Sequence, residues 1–146
     1  MTEMSHRIEI GAPVETVFDF VANPENDPHW CPRVIWCRQR EGAGVVPGAR
    51  YEALHSPTLQ RRHSRWIELL EVEAPKRVVT LQRDNVGTFT ITYEMEPAAA
   101  GTSLTQRDEI DWKVPRVFVP VGRRIVRRHL GDQLSNLKRL LEGADA

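Results

Sequence analysis

Thr88-Phe-Thr-Ile-Thr-Tyr-Glu-Met95 changes side-chain character at every step. Phe89, Ile91, Tyr93 and Met95 fall on one face of an extended chain, and Thr88, Thr90, Thr92 and Glu94 on the other. A period of two is the mark of a strand with one buried face. After a turn cluster at Pro97 to Gly101 the period resumes over residues 103 to 112, where Leu104, Ile110 and Trp112 oppose Ser103, Thr105, Arg107, Glu109 and Asp111. That phase carries Gln106 and Asp108 onto the apolar side. Upstream, from Val34, the chain is built of further short runs rich in Val, Ile, Thr and aromatics, divided by turn clusters at Glu41 to Gly48, Ser56-Pro57, Ala74-Pro75-Lys76 and Asp84-Asn85-Val86-Gly87. Six successive strands are expected between Val34 and Trp112. No helix-length segment separates them, so neighbours pair antiparallel, since parallel pairing needs a long crossover.

The flanks are different. Residues 4 to 10 alternate with Met4, Ile8 and Ile10 in phase and predict one more strand, followed by a helix that Pro13 opens. In that helix Val14, Val17, Phe18 and Val21 recur at helical spacing, with Glu15 at the positive end of the dipole. Asn23-Pro24 starts a second, short helix that Pro28 limits to a turn or two. The last element begins near Pro115. Val126, Leu130, Leu134, Leu137 and Leu141 lie on one face of a long helix, and Phe118, Val121 and Ile125 extend the stripe upstream. Pro120 is expected to kink its first turns, and Gly143 to Ala146 reads as a loose tail.

At 146 residues, the whole chain (1–146) is expected to form one domain. Lys+Arg and Asp+Glu number 20 each, so no net field draws the protein to nucleic acid or to an anionic membrane. Locally the balance breaks, because from Arg116 to Arg139 seven basic residues face one acid, Asp132. With Cys31 and Cys37 as the only cysteines, no signal-peptide pattern and no long apolar run, the sequence reads as a soluble, cytoplasmic protein without integral membrane segments. His-Glu-x-x-His, zinc-knuckle spacing, an acidic calcium loop, the Walker loop and Gly-x-Gly-x-x-Gly are all absent, so neither a metal nor a nucleotide cofactor is expected. Nor is there a Gly-x-Ser-x-Gly elbow to mark a nucleophile.

The order strand, two helices, six antiparallel strands and a long helix resembles the START-like (SRPBCC) superfamily of helix-grip proteins, in particular its polyketide cyclase/dehydrase-like branch. The resemblance is carried by Ile10-Gly-Ala-Pro-Val-Glu-Thr-Val-Phe-Asp-Phe-Val-Ala-Asn23, by Pro24 to Trp30, by Glu73-Ala-Pro-Lys-Arg-Val78 and by Gly101-Thr-Ser-Leu-Thr105, and it spans nearly the whole chain. It implies an α+β helix-grip fold, with a curved antiparallel sheet of about seven strands wrapped around the C-terminal helix. It also implies a cavity between the two that takes lipids, aromatic polyketides or other hydrophobic molecules.

Within such a cavity the strand phases select candidates. Phe89, Ile91, Tyr93 and Trp112 form an apolar wall, with Trp36 as a further aromatic, and Phe118 and Ile125 face it from the helix. Tyr51 and His55 share an inward phase with Ala53, and Arg83 shares one with Val79 and Leu81. Arg65 is contested, because Trp66, Leu70 and Val72 compete with Ile67 and Leu69 for the inner face. His129 lies on the flank of the helix stripe. Asp108 is the sharpest anomaly, since an ionised carboxylate is costly to bury. It reads either as a ligand acceptor or general acid/base, or as half of an internal ion pair with an arginine. Asp108, His55, Tyr93 and Arg83 are the candidate catalytic groups. Three functions fit these residues: a carrier of a small hydrophobic ligand; a cyclase, aromatase or dehydratase using the same cavity; and a module that binds a protein partner through its basic helix.

Overall fold

A computed structural model describes residues 1–56 and 62–143. The turn expected at Ser56-Pro57 therefore runs out of the described residues, and most of the expected C-terminal tail lies beyond them. Strand β1 (Thr2–Ile10) is followed by α1 (Val14–Val21), a single 3-10 turn (Pro24–Asn26) and α2 (Asp27–Trp30). Six strands come next: β2 (Val34–Glu41), β3 (Arg50–His55), β4 (His63–Glu73), β5 (Arg77–Arg83), β6 (Gly87–Ala98) and β7 (Gly101–Trp112). A second 3-10 turn (Arg116–Phe118) leads into α3 (Val119–Gly143). The sheet order is β1-β7-β6-β5-β4-β3-β2, antiparallel throughout. Each strand from β2 to β7 lies beside its sequence neighbour, and β1 closes the far side against the last strand. This is the α+β helix grip that the resemblance implies.

Pro120 does not interrupt α3, which runs as one helix from Val119 to Gly143. It occupies the second position of the helix, where its missing N–H would have had no intrahelical partner. A Cβ on Gly131 would meet no neighbouring element within 4 Å, and the helix runs through the glycine unbroken.

The core runs along the inner face of the sheet, and α3 closes on it at one end. Leu130, Leu134, Leu137 and Leu141 are buried with Ile10, Val17 and Leu104, and α3 packs there on β1 and α2. Polar ties reinforce the packing: the backbone N–H of Gly11 donates to Glu142 Oε2 at 2.8 Å, and Lys138 Nζ donates to the Glu9 carbonyl at 2.7 Å. Toward the other end the sheet diverges from the helix and leaves a cavity.

Candidate functional site

Register decides which side chains wall the cavity. Phe89, Ile91 and Tyr93 of β6 face inward, opposite Ile110, Asp108 and Gln106 of β7 and Gln82, Thr80 and Val78 of β5. All nine are buried. The inner face of β5 is thus Val78-Thr80-Gln82, which places Arg83 on the exposed outer face and overturns its inward assignment. Val79 and Leu81 made the opposite phase look more apolar, but the inner face here borders a cavity that accepts polar groups. On β4 the register slips between Leu69 and Glu71. The bulge explains the conflicting pattern: Ile67 and Leu69 point inward before it, Val72 packs on the core after it, and Leu70 and Trp66 are left outside, 40% and 50% exposed.

The cavity measures about 480 Å³. His55, Phe89, Ile91, Tyr93, Asp108 and Trp112 line it from the sheet, while Phe118, Ile125 and His129 line it from the 3-10 turn and α3. Two candidates are elsewhere. Trp36 is not among the lining residues; its ring is covered by the guanidinium groups of Arg38 and Arg40, 4.8 and 5.9 Å from its centroid. Tyr51 is buried but gives its hydroxyl to the Gly44 carbonyl at 3.3 Å, in the β2–β3 connection and away from the cavity.

At the cavity mouth Trp112 is held on three sides. Its indole N–H donates to Thr2 Oγ1 at 2.7 Å, its ring meets Phe89 edge-on with centroids 6.5 Å apart, and α3 passes so close that a Cβ on Gly122 would lie 2.8 Å from the indole. A side chain at 122 would have no room.

One side wall carries a polar network that strand alternation left out. Arg65 donates twice to Asp84 Oδ2, from Nε at 3.0 Å and Nη2 at 2.7 Å, and once to Gln82 Oε1 at 3.3 Å. The backbone N–H groups of Val86 and Gly87 donate to Asp84 Oδ1 at 2.8 and 3.2 Å, and His63 Nε2 lies 3.2 Å from Oδ2. Burial alone would raise the Asp84 carboxyl; the Arg65 charge and these hydrogen bonds hold it below its ordinary value. Arg65 also stacks over Phe89, 4.7 Å from the ring centroid. Asp84 belongs to a segment that reads as a plain turn, Asp-Asn-Val-Gly, and its β-turn role is real. Only the fold shows that the same carboxylate anchors a cavity arginine.

His55, His63 and Asp84 each offer one atom within 4.8 Å of the others, the single grouping among the described residues that could hold a metal ion. Its chemistry is poor for one. The carboxylate is already saturated by donors, and the Arg65 guanidinium sits against the same oxygen, where it would repel a cation.

The innermost groups are neutral or protonatable. Asp108 accepts a hydrogen bond from Gln106 Nε2 at 3.0 Å, and among the described residues it forms no ion pair. Of its two readings, the arginine pair is therefore set aside. Burial pushes its carboxyl up to about 6, against the pull of Gln106 and the more distant Arg65. Asp27, on α2, also lines the cavity, and burial pushes it up to about 8, with Arg65 and Trp30 pulling the other way. Burial drives His55 down to about 3, helped by Arg65 and His63, so its imidazole is neutral. Burial raises the Tyr93 phenol and the Cys31 thiol well above their ordinary values. Two buried atoms of the lining residues are left without a partner, His55 Nδ1 and Gln106 Oε1. On the helix side His129 accepts from Arg33 Nε at 3.2 Å, and burial and Arg33 lower its basicity.

Asp27 was legible only as part of a short helix. Its spacing carries no inward signal, because α2 is too short for a periodic face. Gln106 and Asp108 did stand out, since a long strand fixes their phase.

A seven-stranded antiparallel grip around a terminal helix, hollow at one end and lined by apolar walls with a few enclosed polar groups, defines an SRPBCC-type fold with an internal cavity. The family model for polyketide cyclase / dehydrase and lipid transport matches residues 1–142, and the chain belongs to that family. Solved structures share the fold. The Thermus thermophilus protein TTHA0849 superposes with a TM-score of 0.78 at 16% identity, covering 99% of this chain and 100% of that one. Protein CV1439 from Chromobacterium violaceum gives 0.71 at 19% identity over 97% and 99% of the two chains. The solution structure of Bacillus halodurans protein BH1534 gives 0.73 at 17% over 97% and 98%. No curated protein matches the sequence.

Proposed function

We propose that this protein binds a small, largely apolar molecule of lipid or polyketide type, with its polar end held at the sheet wall of the cavity. The observation that carries this reading is the pairing of a cavity of about 480 Å³ with two unpartnered buried polar atoms, His55 Nδ1 and Gln106 Oε1. Ligand pockets of proteins span roughly 300–1,000 Å³, and an unsatisfied buried polar group costs about 1–3 kcal/mol that a ligand hydroxyl or carbonyl recovers by supplying the missing partner. Phe89 and Trp112 grip a planar or branched apolar body, and Asp108, Gln106 and His55 orient its polar end.

Titrating intrinsic tryptophan fluorescence against a panel of aromatic and acyl compounds tests this, because Trp112 forms part of the wall. Quenching that saturates is expected. Asp108→Asn should keep the fold and weaken the best ligand about tenfold, the order of one charge-assisted or strong hydrogen bond. A flat response across the panel, together with no co-purified small molecule in native mass spectrometry, would overturn the proposal.

A second reading, catalysis of a cyclisation or dehydration in the same cavity, is favoured by one observation. Asp108 is held near 6, where a carboxyl can both donate and accept a proton at neutral pH. Turnover of a bound polyketide-like compound that Asp108→Asn abolishes without loss of binding would select this reading over simple carriage.

A further inference from the structure

Sheet and helix differ in how far their arginines are neutralised. On the sheet, four arginines are matched to glutamates: Arg40 to Glu52 at 3.1 Å, Arg50 to Glu68 at 3.2 Å, Arg77 to Glu71 at 3.1 Å and Arg107 to Glu94 at 3.5 Å. The exposed Arg38 and Arg83 stand apart from one another on different strands, without an ion pair among the described residues. On the helix, Arg123, Arg124, Arg127 and Arg128 are exposed, and among the described residues none of them forms an ion pair. They stand at spacings of four, 123 with 127 and 124 with 128, where like charges repel. Together with Pro120 they line an open groove on the outer side of α3.

Next to this groove three apolar side chains close together in sequence are exposed. Val117, Phe118 and Val121 are 76%, 58% and 52% exposed. They cap the N-terminal end of α3, and Phe118 and Val121 also border the cavity mouth. An apolar tip flanked by unneutralised arginines matches the layering of a membrane surface, acyl chains beneath and phosphate headgroups at the level of the cations. An acidic protein would satisfy the arginines but would not account for an apolar tip projecting from the end of the helix.

We infer that the N-terminal end of α3 is a peripheral docking surface for anionic phospholipid bilayers: Val117, Phe118 and Val121 enter the interface while Arg123, Arg124, Arg127 and Arg128 engage headgroup phosphates. Docking stands on the surface alone and does not depend on the cavity being a ligand site. Where both hold, the cavity mouth faces the bilayer, and an apolar ligand passes between them without crossing water.

The test is flotation of the full chain with vesicles of phosphatidylcholine alone and of phosphatidylcholine mixed with phosphatidylglycerol. Binding to the mixed vesicles only is expected, weakening as salt is raised. Arg123→Gln with Arg127→Gln should lower the partition coefficient about thirtyfold, the factor expected for two surface cations, while leaving the fluorescence titration of the cavity unchanged. Should that pair disturb the helix, Val117→Cys carrying an environment-sensitive fluorophore gives an independent readout. Val117 is exposed and outside the cavity lining, the native cysteines are buried, and the emission should shift to the blue on anionic vesicles. Equal binding to neutral and anionic vesicles, no binding to either, an unshifted label, or capture of an acidic polypeptide in place of vesicles would each overturn the inference. Loss of the cavity titration with vesicle binding intact would sink the proposed function and leave the docking surface standing.

Discussion

Leu130, Leu134, Leu137 and Leu141 are no more than 5% exposed, whereas Val117, Phe118 and Val121, at the start of the same helical segment, are more than half exposed. One helix with one apolar stripe meets two environments. From Leu134 onward it shares one buried cluster with Ile10, Val17 and Leu104, while Leu130 also borders the cavity. Its N-terminal half stands over a cavity whose opposite wall carries Arg65, Gln106 and Asp108. Polar side chains that keep to their own networks do not close on an apolar helix, so the grip stays open at that end. The closed end holds the fold together and the open end is left for a ligand. The two should therefore respond differently to substitution.

The largest effect is expected at the closed end. Leu137→Ala removes a fully buried side chain and should cost about 4 kcal/mol in denaturant unfolding, with the affinity of any cavity ligand unchanged in the variant that remains folded. A comparable loss of affinity would show that the ends are coupled. At the open end, Arg65→Met leaves the Asp84 side chain, 0% exposed, without its cation and should cost about 3 kcal/mol. Adding Asp84→Asn should restore much of that stability. A double variant no better than the single would mean that the network is not a unit.

The pH dependence of stability separates the inner groups. Asp27 and Asp108 have folded values raised from 3.8 to about 8 and about 6, so the folded state holds more protons than the unfolded one above pH 3.8. Their contribution is complete below that point and is lost as pH rises through about 6 for Asp108 and about 8 for Asp27. His55 acts in the opposite sense, because its value falls from 6.5 to about 3 and its contribution is lost as pH drops from 6.5 toward 3. Thermal melts should show stability falling from about pH 6.5 to 8, and Asp27→Asn should flatten that limb. A limb that keeps its slope in Asp27→Asn would assign it to other groups. The smallest effect is expected from Gly122→Ala, where a gain in helix propensity of about 1 kcal/mol opposes overpacking of about 1–3 kcal/mol against the pinned Trp112 ring. Net destabilisation of about 1 kcal/mol, with altered fluorescence of the cavity tryptophan, should result. A stabilised variant would show that the indole moves freely.

What the sequence shows of this architecture follows from where its patterns are long. On β6 and β7, 12 residues each, alternation places Phe89, Ile91, Tyr93, Gln106 and Asp108 correctly. The same reading fails on β5, seven residues long, where Arg83 turns outward because Thr80 and Gln82, not the more apolar Val79 and Leu81, face the cavity. It is ambiguous on β4, where a bulge shifts the phase midway. Tyr51 does turn inward with Ala53, but it packs in the core and serves a loop instead of the cavity, and the aromatic Trp36 is covered by arginines outside it.

By itself, then, the sequence determines the order and type of the elements, their antiparallel pairing and the apolar stripe of α3, because these rest on local periodicity and on the short connections between strands. Tertiary structure alone decides that β1 closes against β7 and that Asp84 and Arg65 meet across β4 and β5. It also decides that Asp27 shares a cavity with Asp108, and that half of α3's stripe is left uncovered. Each of these depends on which distant residues face one another across the hollow of the sheet, and burial and charge interactions act through space, not along the chain.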